Sequence, residues 1–251
     1  MSHRILVTAS LTAVALLGLT VPTASAHRAE PWRASSSDVV QVGTYAYLTA
    51  PDYDGLAPVA TVLDGPTTIG LGTFDRLDGE LVIVGGVGYR VGVDGTPRPV
   101  TATASTPFAQ AVAFRPTMSV PVPPGTTCAA LDPLVAAAAG ARAAGTVAVR
   151  VRGTFANLTT RSVPAQSPPY LPLADVTATQ TVFDLGQRRA VLVGFRSGPA
   201  AAGVGAPGLH LHGLTADRSA GGHVLSCIAG PDVQLSLEPV PAVRVVMPTA
   251  Q

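Results

Sequence analysis

The sequence predicts an α+β, β-rich fold: two packed mixed or antiparallel sheet subdomains with few helices, and a metal site on a C-terminal β-hairpin. Three observations predict it. The chain carries 26 Gly and 23 Pro in 251 residues, which punctuates it too often for long helices. Short apolar or alternating runs recur between turn signals. One stretch alone, residues 131–144, is Ala-rich enough for a helix of several turns, with Pro133 near its start and Gly145 just past its end.

Taken in order, residues 1–26 read as a signal peptide. Arg4 supplies the positive segment, an apolar stretch follows, and Ala24-Ser25-Ala26 is a small-x-small cleavage site. Residues 27–38 are polar with a Ser run and read as a flexible leader. Export and cleavage would leave a secreted or extracytoplasmic protein with no membrane segment. The body divides at a Pro-rich connector into an N-terminal β-rich subdomain, residues 39–118, and a C-terminal metal-binding one, residues 119–251.

In the first part, residues 39–50 have strand composition, and Pro51-Asp52-Tyr53-Asp54-Gly55 is a turn. The pattern of residues 56–63 fits a short helix or a strand equally. ELVIV at Glu80–Val84 is a buried strand, Gly85-Gly86 a hairpin turn, and residues 87–93 the returning strand. In the second part, TVAVRVRGTF at residues 146–155 alternates with period two and puts Arg150 and Arg152 on one face. Residues 180–183, 190–195, 233–237 and 243–247 are further strands, and residues 198–208 form a Gly/Ala loop.

Composition excludes several function classes. Charged residues are 12% of the chain and the net charge is +1, with no basic patch legible for nucleic acid. All 16 basic residues are Arg, so there is no amine for a Schiff base or a pyridoxal phosphate anchor. The Gly-rich Gly85–Gly88 stretch sits at a hairpin with no following helix to receive a phosphate. Cys128 and Cys227 are the two cysteines, and spacing leaves open whether they form a disulfide or stay as separate thiols. A bridge would brace the segment that follows the histidines.

Outside residues 1–38 every histidine lies within residues 209–225: His210, His212 and His223. His210 and His212, at i and i+2, face one way on a strand. The loop at residues 213–222 lets His223 return on the neighbouring strand, so three neutral nitrogens meet on one side of a divalent metal. Three His with open positions is the catalytic pattern, and zinc is the default ion, with Mn, Co and Fe(II) as alternatives. Cys227 reads as a non-ligand, since four residues past His223 it shares a face only if no bulge intervenes.

Several separated motifs, in order, resemble the alpha-acetolactate decarboxylase family. They are GLGTFDRLDGELVIV at residues 70–84, Thr106-Pro107-Phe108-Ala109, GTF at residues 153–155 with TRSVPAQSPPYLPL at 160–173, and LHLHGLTADRSAGGHVL at 209–225. The resemblance implies metal-dependent decarboxylation of 2-acetolactate, a 2-hydroxy-3-keto acid, to acetoin and CO2, as in acetoin biosynthesis. It implies that Glu80 and Arg161 stand over the substrate beside the three His, and that the protein is a homodimer. Thr73 beside Glu80 is expected to make a turn hydrogen bond. Gly213, Ser226 and Gly85 depart from the aromatic, Asp and Asp common in the family. A further family Glu toward the C-terminus has no clear counterpart, since the last acidic residue is Glu238. Two other classes fit the histidines. An exported zinc-dependent hydrolase would use the same site with Glu80 as base, and a non-catalytic metal- or sugar-binding β-module would give Arg161 no role.

Overall fold

The computed structural model describes residues 37–101 and 103–247, so the expected signal peptide and nearly all of the expected leader lie outside the described residues. The chain runs β1 (Val39–Val42), α1 (Tyr45–Thr49), β2 (Ala57–Pro58), β3 (Thr68–Thr73), β4 (Glu80–Val84), β5 (Val87–Val91), β6 (Pro97–Pro99), β7 (Ser105–Thr106) and β8 (Ala109–Ala113). It continues through β9 (Met118–Pro121), α2 (Cys128–Ala139), β10 (Thr146–Ser162), α3 (Leu173–Ala178), β11 (Thr181–Asp184), β12 (Arg188–Ser197), β13 (Gly208–Thr215), β14 (Gly221–Ala229), β15 (Gln234–Pro239) and β16 (Val243–Val246). The β-rich α+β expectation holds.

Two seven-stranded sheets carry the fold. The first has the order β16-β1-β8-β3-β4-β5-β6 and the second is built around β10. β16 leaves the second half of the chain and pairs parallel with β1, so the first sheet closes with a strand from the far end of the sequence. β10 pairs β12 along its first half and β14 along its second. With β13 between those two partners, four strands close on themselves.

Burial follows the period-two pattern. In β4, Val82 packs with Leu71, Phe108, Val193, Phe195 and Leu214 in a core shared by the two sheets. Leu81 and Ile83 point the other way, into a core with Val42, Val59 and Phe74. Glu80 has the parity of Val82 and therefore faces the second sheet. The opposite side of the second sheet is covered by α2, whose Leu131 and Val135 meet Val147, Val149, Val151, Leu192 and Leu235.

Local differences from the sequence reading have local causes. The strand expected over residues 39–50 stops at Val42. Gly43 turns the chain with φ +61°, and the Thr44 side chain accepts a bond from the Tyr47 N–H, capping α1. The helix expected over residues 131–144 starts earlier, at Cys128 behind an N-capping Thr127, and tightens into a 3-10 turn at Gly140–Ala144. Residues 56–63, undecided by pattern, divide into β2 and the 3-10 turn Val59–Val62. Gly85 and Gly86 both have positive φ, as the tight β4–β5 turn requires. Cys128 and Cys227 form a disulfide, which ties the start of α2 to β14.

Candidate metal centre

The β13–β14 hairpin pairs His212 directly with His223, and His210 lies two residues before His212 on the same face. β10 passes on the other side of β14 and sets Arg161 opposite His223. From the first sheet, β4 brings Glu80 across the gap. All five residues expected at the site therefore meet, on four strands of two sheets. They line a cavity of about 600 Å³ with Thr73, beneath an apolar wall that includes Phe108 and Leu173.

Two strand irregularities set this geometry. The register of β10 shifts between Phe155 and Asn157, which reverses its parity: Phe155 and Leu158, three apart, both pack in the α2 core. Arg161 thereby faces the first sheet, where its Nη1 donates to Glu80 Oε1 at 2.5 Å. A second shift inserts Leu225 between Val224, opposite Thr160, and Ser226, opposite Thr159. His223 and Cys227 consequently sit on opposite faces, and Cys227 is committed to its disulfide. The condition under which Cys227 could join the histidines is not met.

The imidazoles converge. His210 Nε2 lies 3.1 Å from His223 Nδ1, and His223 Nδ1 lies 3.3 Å from His212 Nε2. His212 Nδ1 is 2.8 Å from the Leu81 carbonyl oxygen, which only accepts, so Nδ1 carries the proton and Nε2 keeps its lone pair. Burial, reinforced by the Arg161 charge, holds His210 down to about 4. Burial likewise takes His212 and His223 well below the usual imidazole range. Burial pushes the Glu80 carboxyl up, with the Arg161 charge pulling against it. Glu80 Oε2 also lies 3.4 Å from His212 Nε2.

Neutral imidazoles whose ring nitrogens converge on one point are the donor chemistry a divalent cation takes. The three could hold a metal ion, each giving one nitrogen. Tetrahedral bonds of about 2.0–2.1 Å to a central zinc would set the nitrogens about 3.3 Å apart, close to the separations found. The Leu81 carbonyl supplies the outer hydrogen bond that orients a metal-ligating imidazole. His210 Nδ1 is buried and lacks a partner. The donor set fits a divalent metal.

Some parts of the site had no sequence signal. The Leu81 carbonyl is a backbone group and leaves no mark in side-chain identity. Thr177, which completes the wall begun by Pro172 and Leu173 at the end of the 160–173 motif, comes from α3, a short helix outside any periodic pattern. Thr73 does make its turn bond, donating to the Gly79 carbonyl at 2.8 Å, and also borders the cavity. Glu238 is elsewhere, buried on β15 and accepting from the Arg115 N–H. Among the described residues, Glu80 is the one carboxylate lining the cavity. At Gly213, an added Cβ would come within 2.9 Å of the Leu192 side chain and 3.2 Å of the Val224 side chain, so a larger residue there would need those two side chains to move.

The family model for alpha-acetolactate decarboxylase matches residues 39–251. An alpha-acetolactate decarboxylase of Methanosarcina mazei is 38% identical over 192 residues, covering 76% of this chain and 66% of that protein. The chain thus spans just under two thirds of that relative. One from Klebsiella aerogenes is 34% identical, covering 75% and 72%. The crystal structure of the Bacillus subtilis strain 168 alpha-acetolactate decarboxylase superposes with a TM-score of 0.79 at 29% identity, covering 85% of this chain and 90% of that one.

Proposed function

The chain belongs to the alpha-acetolactate decarboxylase family, and from that premise we propose that it converts 2-acetolactate to acetoin and CO2 in the cavity bordered by Glu80, Arg161 and the three histidines. The observation that carries this is the Glu80–Arg161 pair, buried beside a histidine cluster that fits a divalent metal. Zinc is the proposed ion, because three neutral imidazoles with open positions suit it. When bound by His210, His212 and His223, the ion supplies Lewis-acid stabilisation of negative charge developing on the substrate's ketone oxygen.

The chain's own residues account for the rest. As the bond to the carboxylate breaks, its electron pair moves toward the ketone, and the carbon left behind must gain a proton. Net, one proton is consumed for each CO2 released. Glu80 is placed to hand that proton over and to recover one from solvent, since burial favours its protonated form. Arg161 keeps Glu80 in position through Nη1 and directs its other donors toward an oxyanion in the cavity. The apolar wall limits water around the reacting carbon.

The proposal includes export, supported by the signal-like residues 1–26 and by a disulfide suited to an oxidising compartment. It also includes the homodimer that the resemblance implies, which light scattering of the purified protein tests. No particular observation favours the hydrolytic reading. The deciding experiment is acetoin release from racemic 2-acetolactate before and after chelation and zinc re-addition. Metal-dependent acetoin and CO2 are expected. A metal-loaded protein that forms no acetoin would overturn the proposal.

A further inference from the structure

The second sheet presents another charged cluster on the face that carries the histidines. Along one row, Arg150 pairs with Val193, and Val193 pairs with His212. Val193 is fully buried, so an apolar side chain separates the cluster from the metal centre. Beyond it lie two adjoining cavities of about 310 and 410 Å³. Arg150, Arg152 and Arg189 border both, and Arg218 borders the first.

The cluster is poorly compensated. Asp232 is the one carboxylate lining either cavity, and it pairs with Arg189 at 3.2 Å. Among the described residues, Arg150, Arg152 and Arg218 have no ion-pair partner. Aromatic rings fix two of the guanidiniums: Arg150 lies 5.1 Å above Phe114, and Arg218 lies 5.2 Å above Tyr89. Arg218 Nη1 is shut off from solvent with no hydrogen-bond acceptor. Burial and the neighbouring Arg152 charge both work against the charge on Arg150. Four permanent cations gathered against one carboxylate are held in a geometry with unused donors.

We propose that this arginine cleft between the sheets binds a small oxyanion of two or more negative charges, of the phosphate or polycarboxylate kind. Guanidinium forks match the paired oxygens of both. The cleft offers donors and almost no acceptors, which disfavours neutral polar ligands. Its size suits a compact anion. Val84 and Val191 wall one part, and Asp232 at the other end repels a long polyanion.

The test is calorimetric titration of the metal-loaded full chain at low salt with inorganic phosphate, sulfate and tricarballylate, none of which chelates strongly. Saturable binding that weakens with added sodium chloride is expected. Phosphate and sulfate binding alone identifies a tetrahedral ligand, and tricarballylate binding alone a polycarboxylate. Arg152→Ser with Arg189→Ser should weaken binding about tenfold or more, as loss of charge-assisted bonds implies, and leave decarboxylation unchanged. His210→Ala should leave anion binding as it was. Should the double variant fold poorly by near-ultraviolet circular dichroism, Asp232→Asn supplies an opposite sign, since it should tighten binding. No saturable binding of any of the three anions overturns the proposal. So does binding that survives the double variant and fails in His210→Ala, and so does binding confined to a polymer such as heparin.

Discussion

Glu80 and Arg161 hold each other in a site largely closed to water, with side chains 5% and 13% exposed. Each is tolerable because of the other, and removing either strands its partner. Glu80 and His212 are expected to fail differently when replaced. Glu80→Gln keeps shape and a hydrogen bond to Arg161 and leaves the three histidines intact. It should keep full metal content by elemental analysis while kcat falls about a hundredfold or more, the range for a lost proton-transfer group. Metal loss along with kcat would instead make Glu80 part of the metal's support. His212→Ala should lose both metal and turnover, because it removes one converging nitrogen and the bond to the Leu81 carbonyl. The three histidines were legible from the residues themselves, whereas Glu80 and Arg161 were expected from the family resemblance, with the scarcity of Glu adding weight to Glu80. Glu is scarce, with three in the chain, and histidine outside the first 38 residues is confined to one short segment. The Leu81 carbonyl was not legible, since any residue at that position offers the same oxygen.

At the scale of elements, what the sequence concealed is parity. A period-two reading of β10 from Arg150 and Arg152 runs out at the Phe155–Asn157 shift, after which the odd residue Arg161 faces the side that even residues faced before. Nothing in the residue types of Phe155, Ala156 and Asn157 announces a bulge. β10 pairs four different strands along its length, and that tertiary pairing is not written in the types of these residues. Glycine marks another constraint that pattern reading passes over. Gly194 on β12 lies against β13, where an added Cβ would stand 2.0 Å from the His210 carbonyl oxygen and 2.9 Å from Leu71. The backbone oxygen cannot yield without moving the strand that bears the ligands. Gly194→Ala should therefore lower stability by about 1–3 kcal/mol in denaturant melts, the range for overpacking. It should also weaken metal binding, measured by competition with a chromogenic chelator. Unchanged metal affinity would show that β13 shifts as a rigid piece and carries its histidines along.

At the scale of the whole molecule, the two faces of the second sheet have separate duties. One face holds the cavity and the arginine cleft against the first sheet, and the other is covered by α2. The sequence anticipated two sheets and a helix, but not that β16 returns to the first sheet. An apolar strand's composition does not name its neighbour. The Cys128–Cys227 bridge belongs to the α2 face, with Cys227 in the core that α2 covers. It closes a span of 99 residues, so it restricts the unfolded chain strongly, and its loss is expected to cost about 2–4 kcal/mol. For a chain of this size that lowers the melting temperature by about 5–15 °C. Because His223 and Cys227 lie on opposite faces, Cys128→Ala with Cys227→Ala should retain its metal and its turnover at 25 °C while melting earlier. If metal content fell together with the melting temperature, the Leu225 insertion would be held in place by the disulfide. The bridge would then brace the histidines, as its position just beyond them suggested. Thermal melts of the metal-loaded double variant, read beside its metal content, separate these cases, because a purely entropic cross-link changes the first and leaves the second alone.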